Sequence, residues 1–103
     1  MEEEVLDFIS TIKEKYPLEI EDTFSNGLCY WFAKILEIRF GGDIYFDPFH
    51  VHFAIIIDNN MYDITGKIER NTSDWFNWED YKLYNDTTAI ERSCITKAKN
   101  YFV

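Results

Sequence analysis

A chain of 103 residues has room for one domain and not for two ordinary ones. Its composition, 47% hydrophobic and 18% aromatic, supplies the apolar surface of a packed core and excludes a disordered chain. With 10 Lys plus Arg against 19 Asp plus Glu, the formal charge of -9 argues against direct binding to nucleic acid, which needs basic patches that release counterions, and favours solubility or a basic partner.

The N-terminus, MEEEVLDF, starts with charge, and no window of about 18 apolar residues occurs, so a cytoplasmic protein without a membrane span is expected. In a reducing compartment and without a wider cysteine framework, Cys29 and Cys94 are expected as free thiols. No repeat or Gly/Ser linker interrupts the chain, and residues 1–103 read as one domain. Val5, Leu6, Phe8, Ile9, Ile12 and Tyr16 recur at helical spacing, with Glu2, Glu3 and Glu4 at the positive end of the dipole and Lys13 and Lys15 at the negative end before Pro17. The spacing predicts a helix over residues 3–16.

Ser25, Asn26 and Gly27 are cap-type residues ahead of Leu28, Phe32, Ala33, Ile35, Leu36 and Phe40, and the Gly41-Gly42 pair closes the segment, so a second helix starts just before Cys29. Three runs rich in β-branched and aromatic residues follow: DIYF at 43–46, HFAIII at 52–57 and MYDIT at 61–65. The turn Asp58-Asn59-Asn60 pairs the last two as a hairpin. Beyond Gly66, residues 74–84 read as a short helix. Ile90, Cys94, Ala98 and Tyr101 share a helical face capped by Asp86 or Thr87, and a strand through ERSCIT is the alternative. Helices followed by strands predict an α+β domain with its N-terminal helices packed on a small antiparallel sheet.

The chemistry concentrates in GLCYWFA, residues 27–33. A thiol in the first turn of a helix faces unpaired N–H groups that favour its thiolate, and its own N–H can meet a developing oxyanion. Burial as a small hydrophobe is the plain reading of Cys29, yet the chain also carries a base and an orienting acid. His50 and His52 lie two apart and share a strand face, and Asp63 stands in the centre of an apolar strand, where propensity disfavours it.

In Gly27, Cys29, Tyr30, Phe32 and Ala33, the chain resembles the nucleophile segment of papain-like cysteine peptidases. HFAIII followed by YDITG is similar to the His-strand, turn and Asp-strand hairpin of transglutaminase-like and papain-fold proteins of bacteria and phages. The order Cys, His, Asp is that of the superfamily. The resemblance implies a papain-like fold and a catalytic triad of Cys29 as nucleophile, His52 as general base and acid, and Asp63 as the residue that orients the imidazole, with His50 in reserve. It implies thiol-dependent acyl transfer on a protein or peptide amide, whether as peptidase, amidase, deamidase or transglutaminase, with no cofactor. Thr23 stands where papain has its side-chain oxyanion donor. Asn26 is the other candidate donor, and Tyr30 is a candidate for lining the cleft. A hairpin turn centred on Asn59 sets His52 opposite a residue near Lys67 and not Asp63, an offset that a bulge or strand twist has to close.

Two rivals use the same residues differently. His50, His52, Asp47 and Asp63 are ligand types for zinc, although such sites usually recruit a third His or a Cys. A chain this small and acidic also suits a catalytically silent protein that binds a partner, such as a phage inhibitor of a host protein, whereas in the enzyme reading an open cleft is expected to be completed by a protein partner or, in a homo-oligomer, by a second copy. Trp75 and Trp78 raise the idea of a substrate platform; with Phe76 and Tyr81 beside them, core anchoring is the expected role.

Overall fold

A computed structural model describes residues 1–15, 29–69 and 74–96. Helix α1 (Glu2–Lys15) begins one residue before the expected start, and its acidic first turn and basic last turn complement the dipole. Val5 and Ile9, one turn apart, form its buried stripe. Helix α2 (Cys29–Phe40) buries Cys29, Phe32, Ala33 and Leu36, a spacing that puts all four on one face. The expected cap at Ser25, Asn26 and Gly27 lies outside the described residues, as do Tyr16 and Pro17.

The C-terminal stop of α2 follows from two glycines at positive φ, +80° at Gly41 and +99° at Gly42. The Gly41 N–H donates to the Glu37 carbonyl at 2.8 Å. At Gly42 a Cβ would stand 2.4 Å from the Ile56 carbonyl oxygen, so no side chain fits between α2 and the sheet there.

Five antiparallel strands form one sheet in the order β4-β3-β2-β1-β5. They are β1 (Asp43–Asp47), β2 (His52–Ile57), β3 (Asn60–Asp63), β4 (Gly66–Ile68) and β5 (Phe76–Asn77). The β2–β3 turn is shorter than expected. Asp58 and Asn59 alone make it, at φ 49° and 68°, and Asn60 already pairs with Ile57. Two left-handed residues twist a hairpin in the sense its strands require. The expected strand over 61–65 stops at Asp63, where a tight turn leads into β4, and β4 and β5 are both additions to the expected set.

Helix α3 (Trp78–Tyr84) starts inside the segment expected to be helical. Asn77 caps it, its side-chain oxygen accepting from the Asp80 N–H at 3.2 Å. A single turn, α4 (Thr88–Ile90), widens into a π-helix at Glu91–Thr96. Of the two proposed caps, Asp86 accepts from the Thr88 N–H, whereas Thr87, at the N-cap position, makes no side-chain capping bond and gives its hydroxyl to the Glu91 carboxylate. The alternative strand through ERSCIT does not form. Ala98 and Tyr101 lie outside the described residues.

The fold is α+β, with α1 packed on β4 and α2 on β1, β2 and β3, as the order of elements predicts. The core holds Phe32 and Leu36 of α2 against Phe46, Phe53, Ile55 and Tyr62 of the sheet. Trp78, 1% exposed, closes it with ring contacts to Phe46 at 5.2 Å and Phe53 at 4.9 Å.

Candidate active site

Three elements converge on His52. It is the first residue of β2, Asp63 is the last of β3, and Cys29 is the first described residue of α2. The β2–β3 pairing sets Ile55 opposite Tyr62; continued to the strand ends, it sets His52 opposite Thr65. That is two residues short of the Lys67 expected from a turn centred on Asn59, and it makes Asp63 the diagonal neighbour on the same face, within reach of an imidazole. No bulge is needed, because the shorter turn shifts the register.

The contact that results is direct. His52 Nε2 lies 2.9 Å from Asp63 Oδ2. The other carboxylate oxygen of Asp63 accepts from the Thr65 N–H at 2.8 Å and from the Thr65 hydroxyl. With Nε2 committed to the carboxylate, Nδ1 is the ring nitrogen left for the thiol, and Cys29 lies near enough to act on the titration of His52. Cys29 is 4% exposed and His52 about a fifth, so the chain of contacts is shielded from bulk water.

The electrostatics follow from that shielding. Burial works against a charged His52, but the hydrogen bond to Asp63 and the nearness of Cys29 outweigh it and raise its pKa to about 9. For Asp63, burial works against the carboxylate. The bonds from His52 and Thr65 overcome it and hold its pKa below the ordinary value. The site is built to carry an imidazolium beside a carboxylate.

Trp75 completes one wall, its indole edge-on to the His52 ring with centroids 5.9 Å apart. The expected core role holds for Trp78 and not for Trp75, which is half-buried at the site. Sequence reasoning passed over Thr65 altogether. The signal was there, since Asp-x-Thr after a strand is a pattern in which the aspartate bonds the backbone two residues on.

His50, the reserve base, is turned to solvent with its side chain 77% exposed. Its Nδ1 donates to Asp47 Oδ2 at 2.7 Å, and the other Asp47 oxygen accepts from the Phe49 and His50 N–H groups, so this second pair ties the β1–β2 turn. The four suggested zinc ligands thus divide into two hydrogen-bonded His-Asp pairs. Among the described residues no group of three or more His, Cys, Asp or Glu is placed to hold a metal ion. Tyr30 is half-buried, its ring against Phe53 at 5.2 Å and Trp31 at 5.3 Å. Thr23 and Asn26 lie outside the described residues. Cys94 is buried and free, and burial together with the charge of nearby Cys29 raises its pKa.

Fold and site together define a small α+β protein in which Cys29, His52 and Asp63 gather where the central strands β2 and β3 begin and end. The family described as Phage YunG-like protein matches residues 8–101, and the chain belongs to that family. No curated protein and no solved structure matches it significantly. Among the described residues no helix is long and apolar enough to cross a membrane.

Proposed function

We propose that this chain is a thiol-dependent acyl-transfer enzyme in which Cys29 is the nucleophile, His52 the general base and acid, and Asp63 the residue that orients the imidazole. We further propose that its fold is a minimal version of the papain-like arrangement. The observation that supports this reading is one imidazole hydrogen-bonded to a buried carboxylate at 2.9 Å, with a buried thiol near enough to act on its pKa. An ordinary core cysteine needs neither partner.

In this mechanism the Cys29 sulfur attacks the carbonyl carbon of an amide, and the oxyanion is met by the Cys29 N–H, with Asn26 or Thr23 as side-chain donors. The tetrahedral adduct collapses as the His52 imidazolium gives its proton to the departing amine, which leaves a thioester. Water or a second amine then loses a proton to His52, attacks the thioester and frees the Cys29 thiol. Peptide hydrolysis and deamidation share these steps with water as the acceptor and differ in which amide is attacked, whereas transamidation takes an amine as the acceptor.

The test is alkylation of Cys29 by iodoacetamide in the folded protein, in a Cys94→Ala background. Cys29 is expected to react, and His52→Ala to slow it by roughly 10²-fold or more, in keeping with loss of a positioned base. A thiol that stays inert, or that ignores the histidine, sinks the enzyme reading.

Membership of a phage-type family supports a second reading, a small acidic protein that works by binding a host protein. It predicts that Cys29→Ala retains full biological function. The enzyme reading predicts loss of function with partner binding intact.

A further inference from the structure

The far side of Trp75 opens on a groove of about 470 Å³ between β5 and α3. Trp75, Phe76, Tyr81 and Tyr84 line it, together with Asn77 and Asp80, and no lysine or arginine is among its lining residues. Two of the rings, Phe76 and Tyr84, stand open to solvent, while Tyr81 also packs inward against Phe46 and Trp78. Phe76 is 45% exposed and Tyr84 is 84% exposed, while Phe76 and Tyr81 sit 5.7 Å apart at 47°.

The polar groups of the groove are not equally available. The Asn77 side chain is used as the cap of α3, where it accepts from the Asp80 N–H. The Asp80 carboxylate is exposed, and among the described residues it has no hydrogen-bond or ion-pair partner. Asn85 lines the groove as well, its amide N–H donating to the Tyr81 carbonyl at 3.0 Å, so what the groove offers a ligand is chiefly four aromatic rings and one unpaired negative charge. Ring faces attract cations, and a carboxylate beside them adds to that attraction. Anionic ligands are disfavoured here twice, by Asp80 and by the chain's formal charge of -9.

We propose that this groove is a binding site for the basic side chain, lysine or arginine, of a peptide. Through Trp75, whose indole also abuts His52, the groove adjoins the candidate active site. A peptide held there by its basic residue brings a neighbouring amide toward Cys29. That role as a substrate subsite rests on the acyl-transfer reading, whereas the cation preference rests on the groove alone. The long alkyl stem of either residue lies along the rings while its head meets Asp80.

The test follows the Trp75 indole N–H by NMR in the intact protein, its signal assigned by its loss in Trp75→Phe. The two probes are Nα-acetyl-lysine N-methylamide and its neutral counterpart, Nα-acetyl-norleucine N-methylamide. The lysine probe is expected to shift the Trp75 signal saturably and to bind about tenfold more tightly than the neutral one. Asp80→Asn is expected to bring that ratio to about one. Equal affinity for the two probes, no saturable shift with either, or a lysine preference that survives Asp80→Asn overturns the proposal. A lysine preference beside an inert Cys29 leaves the groove as a cation site and removes the enzyme. An activated Cys29 without the preference does the reverse.

Discussion

At the scale of single residues the site is a balance between burial and pairing, and that balance has a sign in pH. His52 is raised from 6.5 to about 9, so the stability it contributes is complete below about pH 6.5 and is lost as pH rises through about 9. Asp63 is held below its ordinary value of 3.8, so its contribution is present above that pH and is lost as pH falls through the lowered value. The pair therefore stabilises the fold most between about pH 4 and 6.5. Urea titrations at pH 6 and 9.5 are expected to show a loss on the order of 2 kcal/mol that His52→Phe does not show. Thr65 acts on the pair from behind, since its hydroxyl and N–H hold the Asp63 oxygen that His52 does not use. Thr65→Val keeps the volume and removes one of those donors. It is expected to cost about 1–2 kcal/mol and to lower the His52 pKa, read from the imidazole protons by NMR.

At the scale of elements, turns decide where the functional groups arrive. Asp58 and Asn59 at positive φ close β2 on β3 with two residues, and that count sets the diagonal between His52 and Asp63. An inserted residue moves every β3 side chain to the opposite face. The end of α2 is fixed with equal strictness by Gly42, which meets the Ile56 carbonyl with no room for a Cβ. Gly42→Ala places a side chain at positive φ against backbone that cannot yield. The variant is expected to lose about 3 kcal/mol or more in chemical denaturation, far beyond an ordinary surface Gly→Ala change. Val51 at φ 50°, immediately before His52, is a second strained point, and there a β-branched residue carries the strain.

At the scale of the whole molecule, the helices and the sheet are held together by rings. Phe46, Phe53, Trp78 and Tyr81 interlock between the sheet and α3, and Tyr30 of α2 reaches the same cluster through Phe53. Trp78 has the largest of the fully buried side chains, and Trp78→Ala is expected to cost about 3–5 kcal/mol, a large share of what a domain of this size has. The expected result is a urea midpoint displaced to low concentration. Because β2 carries Phe53 into that cluster and His52 into the site, loosening the core also loosens the imidazole, and Cys29 alkylation should slow in the same variant.

The amino-acid sequence by itself determined the two long helices and the three main strands, which rest on local physics, namely periodicity, terminal charges and β-branched runs. It set His52 opposite a residue near Lys67, and only the two-residue turn of the folded chain brings it to Asp63. It did not separate Trp75 from Trp78, since two tryptophans three apart read alike until one is sealed against Phe53 and the other is set against His52. Nor did it reveal β4 and β5, whose three and two residues are too short to carry a period and form only because a neighbouring strand offers its free edge. The π-helix at Glu91–Thr96 is likewise tertiary, tied to α2 by the Trp31 Nε1 donor on the Ile95 carbonyl at 3.0 Å. Patterns of near neighbours are written in the chain, whereas register, edges and which face of a ring meets which partner are settled only when distant segments pack.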